Sequence, residues 1–189
     1  MKRRVFIALP IPPEVARAIE SVISNPPPLF PGGVRFLPRE QWHLTLSFLG
    51  DQDDEAIGSV VDVLGAFAAE TASPKIDFAE IIYGPPGKRP RLIWAVGTRE
   101  ASDRLGSLRD TLEEQLVERG VRFQPDHHRF TTHLTLARFT DNYAGPFPSL
   151  ARPLTTGFSA ERIEFLESTL IRSGPTYDLL SSFAFRDDA

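Results

Sequence analysis

The sequence predicts an α+β protein with two lobes and mainly antiparallel sheets, and three observations lead there. Strand-like and helix-like stretches alternate through the chain. The tetrapeptide HLTL occurs twice, at 43–46 and 133–136, 90 positions apart. Two apolar runs, FIAL at 6–9 and IWAV at 93–96, lie 87 positions apart, and each leads into a helical pattern. Two features in the same order at nearly equal offsets predict two copies of a strand–helix–strand unit within one domain covering residues 1–189. Each HLTL strand is then expected in its own lobe, facing a shared cleft.

The elements follow in order. VFIAL at 5–9 is a compact apolar run of the kind found in buried strands. Pro12 and Pro13 open a helix, since proline is tolerated in a first turn, and Val15, Ala18, Ile19 and Val22 keep helical spacing. Pro26, Pro27, Pro28, Pro31, Gly32 and Gly33 end it. A strand is expected over 41–49. Acids at 51–54 cap a helix over about 53–70 that carries Ile57, Val60, Val61, Leu64 and Phe67. Ile76–Tyr83 reads as a strand, followed by the loop GPPGKRPR. Leu92–Val96 is another strand, and a helix over about 101–119 places Leu105, Leu108, Leu112 and Leu116 in register until Gly120 stops it. The loop QPDHHRF leads to the second HLTL strand. Two more strands are expected, over about 157–171 and 177–185.

Bulk composition narrows the function classes. A chain of 189 residues, 41% hydrophobic and 24% charged, has the balance of a globular protein. A formal charge of −4 argues against a broad basic surface for gripping long nucleic acid, while leaving room for a local basic cleft. The absence of cysteine removes disulfides, thiolate nucleophiles and Cys-based zinc sites together. The N-terminal apolar run is too short for a signal peptide, and no stretch approaches a membrane span. A cytoplasmic protein is expected.

HLTL divides its labour between two faces. On a strand, alternate residues share a face, so His43 and Thr45 lie on one side and Leu44 and Leu46 on the other. The leucines anchor in a core while the polar pair looks outward. His133 and Thr135 repeat this over Leu134 and Leu136. One cleft thus receives two imidazoles and two hydroxyls. Displacement at phosphorus needs a base for the attacking water, an acid for the leaving alkoxide, and donors for the non-bridging oxygens. Histidine, with an ordinary pKa of about 6.5, serves in either proton role near neutral pH, and threonine hydroxyls are neutral donors. The arrangement requires no metal and no cofactor. A 2′,3′-cyclic phosphate is an apt target, because its ring opening releases an alkoxide that must be protonated. A single His-x-Thr on a strand is more often a packing or hydrogen-bonding pair; the second copy is what turns the reading toward a site.

The paired HxTx motifs, with FIALPIPPEV at 6–15, LPREQWHLTLSFLGD at 37–51, RLIWAVG at 91–97, THLTLARF at 132–139 and ESTLIRSGPTYDLL at 167–180, resemble the 2H phosphoesterase superfamily. Within it the chain resembles the RNA 2′,3′-cyclic phosphodiesterases, also called 2′-5′ RNA ligases. The resemblance implies a bilobal 2H phosphoesterase fold, with two pseudo-symmetric lobes flanked by helices around a central cleft. It implies hydrolysis of RNA 2′,3′-cyclic phosphate ends to 2′-phosphomonoesters, with His43 as proton donor, His133 as proton acceptor, and Thr45 and Thr135 on the phosphate oxygens. The residues alone give one donor and one acceptor without saying which. The alternative is an RNA-binding or 2′-5′ end-joining protein in which hydrolysis is incidental. The expected partners are RNA ends or nucleoside 2′,3′-cyclic phosphates, with no membrane and no protein partner, and the chain a monomer. One departure is visible: the family usually has proline where this chain has Thr132.

Other residues have two readings each. Arg138 lies five positions after His133, an odd offset that points to the opposite face of a regular strand, so a bulge or strand end is needed to aim it at phosphate. The family pattern favours a substrate-binding role there. Phe48 stands five positions after His43; core packing is its first reading and a base-stacking platform its second. Trp42 reads as core or cleft-rim support. Lys88, Arg89 and Arg91 form either a solvated loop or a basic rim for an RNA backbone. His127 and His128 read as an exposed loop before a metal site. Tyr177 matches a family position with a structural or a functional role.

Overall fold

The computed structural model describes residues 2–24, 32–87, 89–125, 128–150, 152–171 and 174–187. Strand β1 (Arg3–Pro10) carries five consecutive buried residues because it is covered on both faces. Val5, Ile7 and Leu9 enter the main core, whereas Phe6 and Ala8 form a second small cluster with Leu166 on the other side. Helix α1 (Pro13–Ser24) follows directly and buries Val15, Ala16, Ile19 and Ile23. After β2 (Val34–Phe36) and a 3₁₀ turn at Arg39–Gln41 comes β3 (His43–Gln52), the first HLTL strand. Helix α2 (Asp54–Glu70) starts where the Asp53 carboxylate accepts the Ala56 N–H at 3.0 Å.

The second half opens with β4 (Lys75–Gly84) and β5 (Leu92–Gly97). Thr98 caps α3 (Arg99–Glu118) by accepting the Ala101 N–H at 3.1 Å. Leu105, Leu112 and Leu116 are buried as the spacing predicts, but Arg109 and Glu113 share the buried stripe. The Ser47 hydroxyl donates to the Glu113 carboxylate at 2.6 Å, so α3 is keyed to β3 by a buried polar contact. The remaining strands are β6 (His133–Phe139), β7 (Arg152–Pro153), β8 (Gly157–Ser159), β9 (Arg162–Ile171) and β10 (Gly174–Ala184).

The strand expected over 157–171 is two strands, β8 and β9, which pair with different neighbours: β8 with β4, and β9 with β1 and β10. The last strand starts at Gly174, three residues before the expected 177. The short strands β2 and β7 escaped the sequence because three and two residues carry no periodicity.

All pairings between these strands are antiparallel, in the order β10-β9-β1-β3-β6-β5-β4-β7, with β2 beside β6 and β8 beside β4. The fold is α+β and bilobal, and the centre of the order is the seam β3–β6. The two HLTL strands are therefore sheet neighbours, joined at Leu44↔Leu134, and do not confront each other from separate sheets. One apolar core runs beneath both halves. A second tie comes from Arg152, whose guanidinium donates to the Val22 and Ile23 carbonyls at 2.6 and 3.3 Å, satisfying the last turn of α1. Among the described residues no helix is long and apolar enough to cross a membrane.

Register corrects one alignment. Ala8 pairs with Thr45 and Trp94 with Thr135; Ile7 pairs with Ser47 and Ile93 with Ala137. Residues in corresponding places beside the two HLTL strands thus differ by 86 positions, so FIAL matches LIWA at 92–95 in place of IWAV at 93–96.

Candidate active site

His43, Thr45, His133 and Thr135 line one cleft of about 720 Å³, together with Arg138 and Phe48. The seam explains the convergence. Leu44 and Leu134 are directly paired and fully buried, so the residues on either side of each leucine turn to the opposite face. That one pair joins the two strands, and the polar residues flanking it, His43 and Thr45 on β3 and His133 and Thr135 on β6, meet in the cleft.

Both strands then bulge at the same place. On β3 the register jumps from Ala8↔Thr45 to Ile7↔Ser47, leaving Leu46 extra; on β6 it jumps from Trp94↔Thr135 to Ile93↔Ala137, leaving Leu136 extra. Two consecutive residues face the core at each jump, Leu46–Ser47 and Leu136–Ala137. The extra residue restores the odd offset, so Phe48 and Arg138 both emerge on the cleft face beside the histidines. The bulge required for Arg138 is present. The core reading of Phe48 is overturned: its side chain is 66% exposed, because the same bulge turns it out of the core.

Each histidine is held by its backbone and by aromatic rings. The His133 Nδ1 lies 2.8 Å from the Thr131 carbonyl oxygen. A carbonyl only accepts, so this contact assigns the proton to Nδ1 and leaves Nε2 with the lone pair. Trp94 covers the His133 ring at 4.2 Å between centroids. His43 hydrogen-bonds to the Gln41 backbone, also two residues upstream. Its ring meets Tyr177 edge-on at 4.9 Å and Phe6 at 5.0 Å. Tyr177 thereby joins the cleft wall.

The electrostatics favour neutral imidazoles. Burial pushes His43 down, the Gln41 hydrogen bond opposes it, and the charges of Arg138 and His133 push it further down, to about 4. Burial also lowers His133, against the Thr131 hydrogen bond.

Other expected residues fall elsewhere. Trp42 is buried and its indole N–H donates to the Leu37 carbonyl at 3.1 Å. Arg89 donates to the Tyr143 carbonyl, and neither Arg89 nor Arg91 lines the cleft, so these two do not build the basic rim, the second reading of their loop. Lys88 and His127 lie outside the described residues. His128 lines a second pocket of about 400 Å³, which adjoins the cleft through Thr45, Phe48 and His133. The basic residues that do line the cleft are Arg4, Arg35 and Arg138. Arg35 and Trp94 were missed as site residues because their placement depends on strand register, which no local pattern encodes.

Comparison with known proteins gives a consistent result. The family model described as LigT-like phosphoesterase matches residues 9–94 and 96–177. The chain is 31% identical to an RNA 2′,3′-cyclic phosphodiesterase of Thermus thermophilus, covering 98% of this chain and 91% of that protein. It is 30% identical to one of Geobacillus stearothermophilus, covering 97% of this chain and 58% of that longer protein. A solved structure from Thermus thermophilus superposes with a TM-score of 0.79 at 27% identity, over 98% of this chain and 100% of that one. Escherichia coli LigT complexed with 3′-AMP shares the fold, with a TM-score of 0.72 at 23% identity over 98% and 99% of the two chains.

Proposed function

The chain belongs to the LigT-like phosphoesterase family, and from that premise we propose that it hydrolyses RNA 2′,3′-cyclic phosphate ends to 2′-phosphomonoesters without a metal. The observation that carries the mechanism is the contact of His133 Nδ1 with the Thr131 carbonyl. It presents Nε2 as a base. His133 takes a proton from water as the water oxygen bonds to phosphorus. The bond from phosphorus to the 3′ oxygen breaks, and His43 delivers a proton to that oxygen. Thr45 and Thr135 donate to the non-bridging oxygens, and Arg138 balances their charge.

His43 must be protonated to act as donor, although it is held low in the free protein. An anionic phosphate beside it offsets the charge of Arg138 and raises its proton affinity, which favours the charged donor in the complex. We read β1–α1–β3 and β5–α3–β6 as two copies of one unit, each contributing one HxTx motif. The matched bulges support that reading.

End joining uses the same atoms with a 5′-hydroxyl in place of water. The second pocket, which adjoins the cleft at Thr45 and His133, offers room for that strand and favours this as a second activity. Incubating an oligonucleotide ending in 2′,3′-cyclic phosphate with the protein and EDTA tests both. A 2′-phosphate product is expected. A 3′-phosphate, or loss of turnover in chelator, refutes the mechanism, and a 2′-5′ linked product reports joining.

A further inference from the structure

Strand β2 pairs with β6 so that Arg35 stands directly opposite Arg138. Directly opposed residues on an antiparallel pair point to the same face, and here both line the cleft. Two guanidiniums across a ladder repel. An anion between them turns that repulsion into charge-assisted hydrogen bonds. The two arginines are not equivalent. Arg138 acts on His43 through its charge, which places it within reach of the reacting phosphate. Arg35 stands level with Arg138 along β6 but one strand over, on β2, and is not among the charges that act on His43.

The surroundings of Arg35 are shaped for it. Its guanidinium lies against Gly174, where a Cβ would collide with it, and Gly174 has φ +119°, a conformation that side chains rarely adopt. The next residue is tied down as well: the Gln41 side-chain amide donates to the Pro175 carbonyl at 3.4 Å. The start of β10 is thus fastened to the segment that carries Arg35 and leads into His43.

We propose that Arg35 binds the phosphodiester joining the terminal nucleotide to the rest of the RNA strand, so that this end of the cleft selects a polynucleotide end over a free cyclic nucleotide. This rests on the cyclic-phosphodiesterase reading above. Arg138 serves the reacting phosphate, Arg35 serves the next one, and Gly174 leaves the space that Arg35 occupies.

The test compares the unaltered protein with Arg35→Gln and Gly174→Ala on a nucleoside 2′,3′-cyclic monophosphate and on a trinucleotide ending in 2′,3′-cyclic phosphate. In Arg35→Gln the ratio of kcat/KM on the trinucleotide to that on the mononucleotide is expected to fall by about tenfold or more, the loss of one charge-assisted contact. Gly174→Ala is expected to lower the same ratio. An unchanged ratio in Arg35→Gln overturns the proposal. A second measurement stands apart from turnover: binding of a fluorescein-labelled trinucleotide ending in 3′-monophosphate, followed by anisotropy against salt. Arg35→Gln is expected to flatten the log–log salt slope by about 0.7, one single-strand phosphate contact, and an unchanged slope overturns the assignment. If the unaltered protein opens neither cyclic phosphate, the hydrolase reading fails, and the salt slope still decides for or against Arg35.

Discussion

The Trp94 indole covers the His133 imidazole at 4.2 Å between centroids, with the ring planes 35° apart. Gly84 lies on the indole so closely that a Cβ there would collide with it. His133 is thus fixed by a stack of backbone, indole and imidazole, with the Thr131 carbonyl holding Nδ1. Trp94 acts as a positioning residue. Trp94→Leu is expected to lower kcat by about 10- to 100-fold through loss of alignment. The same change admits water, so the His133 pKa, followed by NMR, should rise toward its ordinary value. A kcat loss with an unmoved pKa would point to a general packing defect.

Replacing either histidine tests the acid–base pair. His43→Asn and His133→Asn are each expected to cost about 10²–10⁴ in kcat. The double variant should be little worse than the poorer single one, because the two groups act as a unit. Circular dichroism should show both singles folded, since each side chain is half-buried at a cleft and outside the core. Near-full turnover by either variant would refute the two-histidine mechanism.

The low His43 pKa makes stability depend on pH. Protons bind the unfolded chain more tightly than the folded one, so the folded state loses stability as pH falls from about 6.5 toward about 4, and not below. The full effect is about 3 kcal/mol, at 1.36 kcal/mol per pKa unit. Urea titrations at stepped pH should show this slope, and His43→Asn should flatten it. An identical slope in the variant would place the pH dependence elsewhere.

Much of this site was legible in the sequence, and the reason is local. HLTL encodes its own geometry: Leu44 and Leu134 must be buried, so His43, Thr45, His133 and Thr135 must face the other way. The pairing of β3 with β6 brings them to one cleft. What was not legible depends on register. Leu46 and Leu136 look like ordinary alternating residues, yet each is the extra residue of a bulge. The bulge decides that Phe48 leaves the core and Arg138 enters the cleft. Arg35 sits in a strand of three residues, too short for any period to mark, and its meaning comes from the residue opposite.

Phe48 should affect binding far more than folding. At 66% exposure its ring contributes little to the core, while it stands between the cleft and the adjoining pocket. Base–aromatic stacking is worth about 1–3 kcal/mol, so Phe48→Ala is expected to raise KM by about tenfold with a urea midpoint close to that of the unaltered protein. A large fall in the midpoint would restore the packing role.

Thr132, where the family usually has proline, offers a stability test beside the site. It is fully buried, and among the described residues its hydroxyl has no hydrogen-bond partner. Its Cβ and Cγ2 pack on Gly97, so valine keeps the shape and removes the unsatisfied oxygen. Thr132→Val is expected to raise stability by about 1 kcal/mol, read as a higher urea midpoint at constant m. Proline acts in the opposite direction here. The Thr132 N–H donates to the buried Ser102 hydroxyl at 3.1 Å, and proline has no N–H to give. Ser102 holds the first turn of α3 against the entry to β6 through that bond, so Thr132→Pro should fall below the unaltered chain. The expected order of midpoints is valine, then threonine, then proline. A lower midpoint for valine would mean that the hydroxyl is satisfied in solution.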